Sequence, residues 1–129
     1  MIPKSVYPRA PWWSFVFDLA LVLAFVLIGR RSHDESNALF GIATTAWPFV
    51  TGLVIGWLFV IGFRWPFVTV YSGAIIWIAT VVGGMLLRNV SDQGVATSFV
   101  IVALIVNAVF LIGWRALAIV LKKRSAARA

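Results

Sequence analysis

The sequence predicts an all-α membrane protein, with four transmembrane helices in a compact bundle and both termini on the cytoplasmic side. Three observations lead there. Four apolar stretches, at about 12–29, 45–63, 68–87 and 96–121, fill most of the 129 residues. Each is long enough to cross a hydrocarbon core of about 30 Å as a helix. The chain is 62% hydrophobic with a mean hydropathy of +1.00, whereas soluble domains lie nearer about 45–50% apolar. Its charged residues, only 12% of the chain, fall almost entirely between the apolar runs or at the termini. A single membrane domain over 1–129 is the expected organisation.

The first stretch opens on Pro11-Trp12-Trp13, the second on Trp47-Pro48-Phe49 and the third on Trp65-Pro66-Phe67. Proline suits a helix's first turn, where its missing N–H is no loss. Tryptophan favours the membrane interface. The string W-P-F-V-T occurs twice, at Trp47–Thr51 and Trp65–Thr69. Its flanks do not match and its spacing is shorter than a helix pair, so it reads as two similar helix starts. The first run contains Asp18 and lacks a small-residue cleavage site after Ile28, so it reads as a retained helix. The connection near Arg64–Phe67 is short and makes a hairpin of the second and third helices. The first connection, from Arg30 to about Thr44, is the longest, with Ser32 or Asp34 placed to cap a short interfacial helix leading to Gly41. The third, Arg88–Gly94, is a polar turn. The fourth stretch ends in the basic tail.

Orientation follows from the Lys and Arg count. With the N-terminus inside, Lys4, Arg9, Arg64, Arg115, Lys122, Lys123, Arg124 and Arg128 are cytoplasmic, and Arg30, Arg31 and Arg88 are outside. Eight against three favours both termini in the cytoplasm. The net charge of +7 is concentrated in the tail directly after a spanning helix. That placement suits anionic lipid headgroups and not nucleic acid.

Asp18 is the residue that most needs a reason. It lies inside the first span, where an unpaired charge costs at least ~2.5 kcal/mol. It is six residues past Trp12, about 9 Å deeper along a helix. Ser14 shares its face. Arg115, Arg64 and Asn107 are the candidate partners at similar depth on other helices. The group is either an ion or proton site or a structural Asp–Arg lock.

Arg30, Arg31, His33, Asp34 and Glu35 form a polar cluster on the outer side. It reads as a solvated boundary, as a lipid-phosphate clamp through the two arginines, or as a weak divalent-metal site. Adjacent acids on a helix point about 100° apart, which disfavours the metal. Gly52 and Gly56 form G-x-x-x-G, and Gly83-Gly84 follow in the third helix. Such residues let helices approach closely, within the bundle or across a dimer. Trp57, Trp77 and Trp114 read as membrane anchors. With no cysteine, thiolate chemistry is excluded. No catalytic constellation and no phosphate-binding glycine loop is visible, and no cofactor or metal is expected.

Asp18 followed by Phe25, Gly29-Arg30, Ser32-His33 and, further on, Thr45-Ala46-Trp47-Pro48-Phe49, Gly52 and Gly56-Trp57 resembles the domain-of-unknown-function 3054 family. These are small prokaryotic membrane proteins. The resemblance covers nearly the whole chain and implies residence in a prokaryotic cytoplasmic membrane. It marks Asp18 and His33 as family features and implies no activity. In outline the chain is also similar to small multidrug-resistance transporters, although those carry glutamate where Asp18 stands.

Three functions compete on these grounds. The first is an accessory or scaffold subunit that packs against a membrane-protein partner. The second is a small homo-oligomeric proton-coupled transporter or channel using Asp18. The third is lipid binding at the outer leaflet through Arg30, Arg31 and His33.

Overall fold

The computed structural model describes residues 12–30 and 38–128. They form α1 (Trp13–Arg30), α2 (Ala38–Gly62), α3 (Val70–Val90), α4 (Thr97–Asn107) and α5 (Gly113–Arg128). A π-helical turn, Ala108–Ile112, joins α4 to α5 without a break. The last two helices are therefore one rod, and the chain crosses the bundle four times. Among the described residues there is no strand.

The distribution of side chains is inside-out by the standard of a soluble protein. Phe40, Leu58, Phe63, Leu86 and Val109 are all more than 60% exposed. Ser14, Asp18, Ser72, Thr80, Asn107 and Arg115 are fully buried. In water this arrangement would leave a large apolar surface uncovered. In lipid it is the expected one, because polar groups must find partners inside the protein. Phe40–Gly62, Val70–Val90 and Thr97–Ala127 are long and apolar enough to cross a membrane. Trp13–Gly29 is a shorter apolar helix, about 26 Å long at 1.5 Å per residue. The fold is a helical membrane bundle.

Three expected boundaries move, each for a local reason. Helix α2 begins at Ala38, seven residues before the expected start, so Pro48 sits inside the helix and not in its first turn. The apolar run from Ala38 to Gly41 belongs to this same helix, and the expected cap positions Ser32 and Asp34 lie outside the described residues. Membrane helices tolerate an internal proline where neighbouring groups take up the freed backbone. Pro48 withholds a donor from the Thr44 carbonyl, and the Thr44 and Thr51 hydroxyls on either side donate to other carbonyls, those of Phe40 and Trp47, each at 2.8 Å. Helix α3 begins at Val70, because Thr69 caps it: the Ser72 N–H donates to Thr69 Oγ1 at 3.1 Å. Pro66 therefore lies in the loop, where its carbonyl accepts from the Thr69 and Ser72 hydroxyls. The two W-P-F-V-T strings thus adopt different structures, and neither begins a helix. Helix α5 runs to Arg128, past the expected end at 121, since Lys, Arg and Ala are good helix formers.

The closest approach is between α2 and α3. A Cβ on Gly52 would fall 2.6 Å from the Ala79 carbonyl oxygen, and one on Gly56 3.0 Å from Ile76 Cα. The built Cβ of Gly83 meets Gly52 Cα at 3.2 Å, and Gly84 receives the Phe49 ring. All four glycines serve packing inside this hairpin. Arg64 ends α2 with φ +60°. Its N–H donates to the Ile61 carbonyl and that of Trp65 to Val60, which is a Schellman closure.

Gly52→Ala is expected to destabilise the protein by about 1–3 kcal/mol through overpacking. Gly62→Ala should be near neutral, since nothing lies within 4 Å of its Cβ position. Unfolding curves of the two variants in the same detergent check this.

Candidate functional site: the buried Asp18–Arg115 cluster

The site is built by the register of the fourth rod. Ala103, Asn107, Leu111 and Arg115 are its buried core residues, spaced by four. On a regular helix each four-residue step drifts about 40° around the axis. The π-helical turn takes up extra chain, with the Gly113 N–H donating back to the Ala108 carbonyl. It falls between Asn107 and Arg115, and it helps bring Arg115 to the inner face. Room for the arginine comes from α3. A Cβ on Gly73 would stand 2.9 Å from Arg115 Cδ.

Asp18 and Arg115 form a two-pronged ion pair. Arg115 Nη1 donates to Oδ1 at 2.8 Å, and Nη2 to Oδ2 at 2.7 Å. Both side chains are completely shielded. Two indoles complete the carboxylate's shell: Trp114 Nε1 donates to Oδ1 at 2.8 Å, and Trp57 Nε1 to Oδ2 at 2.9 Å. A carboxylate offers about four acceptor sites, so Asp18 is saturated. Arg115 also donates from Nε to the Phe67 carbonyl at 2.8 Å and from Nη1 to the Leu111 carbonyl at 2.9 Å. One cluster thereby ties α1, α2, α5, the α2–α3 loop and the π-helical turn. Aromatic rings enclose it. Phe17 and Trp13 pack on Trp114 at 4.9 and 5.8 Å, and Phe67 packs on Trp57 at 4.5 Å.

The other candidates take different places. Arg64 is exposed at the end of α2 and does not reach Asp18. Asn107 turns its amide back to the Ala103 carbonyl at 2.9 Å. Its Oδ1 is buried without a partner among the described residues, as are Ser14 Oγ and Thr80 Oγ1. Ser14 shares the Asp18 face but makes no bond to it. In the outer cluster, Arg31, His33, Asp34 and Glu35 lie outside the described residues, and Arg30 is described only as the last residue of α1. Among the described residues no group of three or more acids or histidines converges.

The anchoring role expected of the tryptophans is corrected by these bonds. Trp57 and Trp114 hold the carboxylate, and Trp77 Nε1 donates to the Leu104 carbonyl at 2.9 Å. Depth alone was the available signal. Trp57 lies five residues before the end of α2, and Asp18 five after the start of α1. In antiparallel helices that puts them level.

A family profile matches residues 15–118. The chain belongs to the family described as Protein of unknown function (DUF3054). The DUF3054 span takes in Asp18, Trp57, Trp114 and Arg115 and stops short of the basic run Lys122–Arg124. No curated protein matches the chain, and no solved structure does.

Removing one partner leaves the other charge buried alone, so Asp18→Leu and Arg115→Leu should each cost about 3–5 kcal/mol. The double variant should recover much of that loss. Trp57→Phe and Trp114→Phe should each cost about 1.5–3 kcal/mol, for one hydrogen bond to a charged group. Denaturant unfolding of the purified variants reads all five.

Proposed function

We propose that this protein is an integral accessory or scaffold subunit of a membrane complex, held in the cytoplasmic membrane of a prokaryote with both termini inside. The observation that carries this reading is the saturation of Asp18. Four donors, two from the Arg115 guanidinium and two from indoles, occupy its oxygens within an aromatic shell. A carboxylate so held has every acceptor site filled and leaves no open position for an incoming ion. It suits a lock that fixes helix positions. The outward face, rich in large apolar side chains on every helix, offers surface for a membrane-embedded partner. The basic residues Lys122, Lys123 and Arg124 extend from it on α5 toward anionic headgroups.

A proton-coupled transporter is the second reading. What favours it is a set of buried oxygens, on Ser14, Thr80 and Asn107, that come from three different helices and have no partner among the described residues. A proton path would need such groups.

Gentle purification of tagged protein from native membranes, followed by native mass spectrometry, separates the two. The scaffold reading expects a larger membrane protein in fixed ratio, lost in Asp18→Leu. A homo-oligomer alone, with a pH-driven flux that Asp18→Asn abolishes while the fold survives, would replace it with the transporter. Reporter fusions at either terminus should give cytoplasmic signals only.

A further inference from the structure

The end of the bundle remote from Asp18 holds a cavity of about 500 Å³. Gly73, beside Arg115, and Arg88, on the cavity wall, are fifteen residues apart on α3, which is about 22 Å. The two sites are therefore separate. The cavity is formed by helix ends: the last turn of α1, the first turns of α2, the last turn of α3 and the loop into α4. That places it at the boundary between hydrocarbon and headgroups. Its polar wall consists of Thr44, Thr45, Arg88, Gln93 and Gly94, and Phe99 forms part of the apolar side.

Arg88 is the decisive group. Its guanidinium lies 4.5 Å from the centre of the Phe99 ring. Nε donates to the Gly94 carbonyl at 3.0 Å, Nη2 to the Gln93 carbonyl at 3.1 Å and Nη1 to Gln93 Oε1 at 3.2 Å. These three bonds and the ring fix the plane of the fork. All three acceptors are neutral, and no carboxylate is among the described residues that line the cavity. An arginine has five N–H donors, so two remain without a partner among the described residues. A half-buried cation at a low-dielectric boundary, pre-oriented and without a counter-charge among the described residues, is suited to an oxyanion. The cavity also falls in the size range of about 300–1,000 Å³ usual for small-ligand sites.

We infer that this cavity binds a phosphate group through Arg88, and in the membrane that group is the headgroup phosphate of an acidic phospholipid. The guanidinium fork takes the phosphate oxygens, and the helix ends admit the acyl chains from the bilayer side. This site is distinct from the basic tail, which would attract the same lipids nonspecifically.

The test therefore starts from the full chain with Lys122, Lys123 and Arg124 changed to Gln. It is reconstituted in vesicles of phosphatidylglycerol and phosphatidylcholine in equal amounts, extracted gently and weighed by native mass spectrometry. One phosphatidylglycerol per chain should be retained, with a preference of about tenfold or more over phosphatidylcholine. Arg88→Gln should abolish the preference. Should that variant not fold, Thr44→Trp, which fills the cavity and leaves Arg88 in place, should abolish it equally. A parallel titration with inorganic phosphate in detergent, read by thermal shift, distinguishes the source. Stabilisation by phosphate without lipid retention supports the phosphate site and replaces the lipid with a free anion. Lack of preference in the parent, with no shift by phosphate, overturns the inference. So does a preference that survives both variants.

Discussion

A carboxylate and a guanidinium, both wholly withdrawn from solvent, meet at 2.7–2.8 Å between the first helix and the last. Neither is tolerable in hydrocarbon alone, and the rest of the structure answers to that fact. The π-helical turn helps bring Arg115 inward, Gly73 leaves space for its stem, and Phe67 and Leu111 lend carbonyls to its remaining donors. Two indoles complete the anion's shell. Tryptophan is well fitted to this task, since one N–H is delivered on a large apolar body. The pair's worth lies less in net stability than in geometry, because buried pairs recover little more than their desolvation cost. What it supplies is a single permitted arrangement of α1, α2 and α5.

The ends of the bundle differ in kind. One is closed by charge pairing and aromatic rings. The other, around Arg88, has a cation whose partners among the described residues are all neutral, beside a cavity. Between them the α2–α3 hairpin is welded by glycine contacts, Gly52 against Ala79 and Gly84 against Phe49. A close-packed middle thus separates the paired arginine at one end from the arginine with neutral described partners at the other.

The sequence showed a good part of this. Length and hydropathy were enough for the four crossings, because lipid demands an uninterrupted apolar run whatever the tertiary packing. Asp18 stood out for the same reason, as a charge where charge is costly, and Arg115 was one of three candidate partners. Pro48 and Pro66 misled, since the same Trp-Pro-Phe string fits a helix interior and a loop. Which applies depends on capping, here by Thr69, and on how far an apolar run extends upstream. The tryptophan donors were hidden because an indole is equally at home at the interface and in the core. Arg64 and Arg115 were alike on charge and depth. The φ of +60° at Arg64 and the register set by the π-helical turn separate them, and neither is written in composition. The Arg88 cavity arises from four helix ends meeting, which no local pattern encodes.

The partners in the central pair are 97 residues apart in the chain. At about 5–20 residues per second, the ribosome delivers the arginine about 5–20 s after the aspartate. For that interval the first helix carries a carboxylate with no counter-charge. It must wait at the water boundary or against the insertion machinery. Helix α1 thus settles only once the arginine of α5 has joined it.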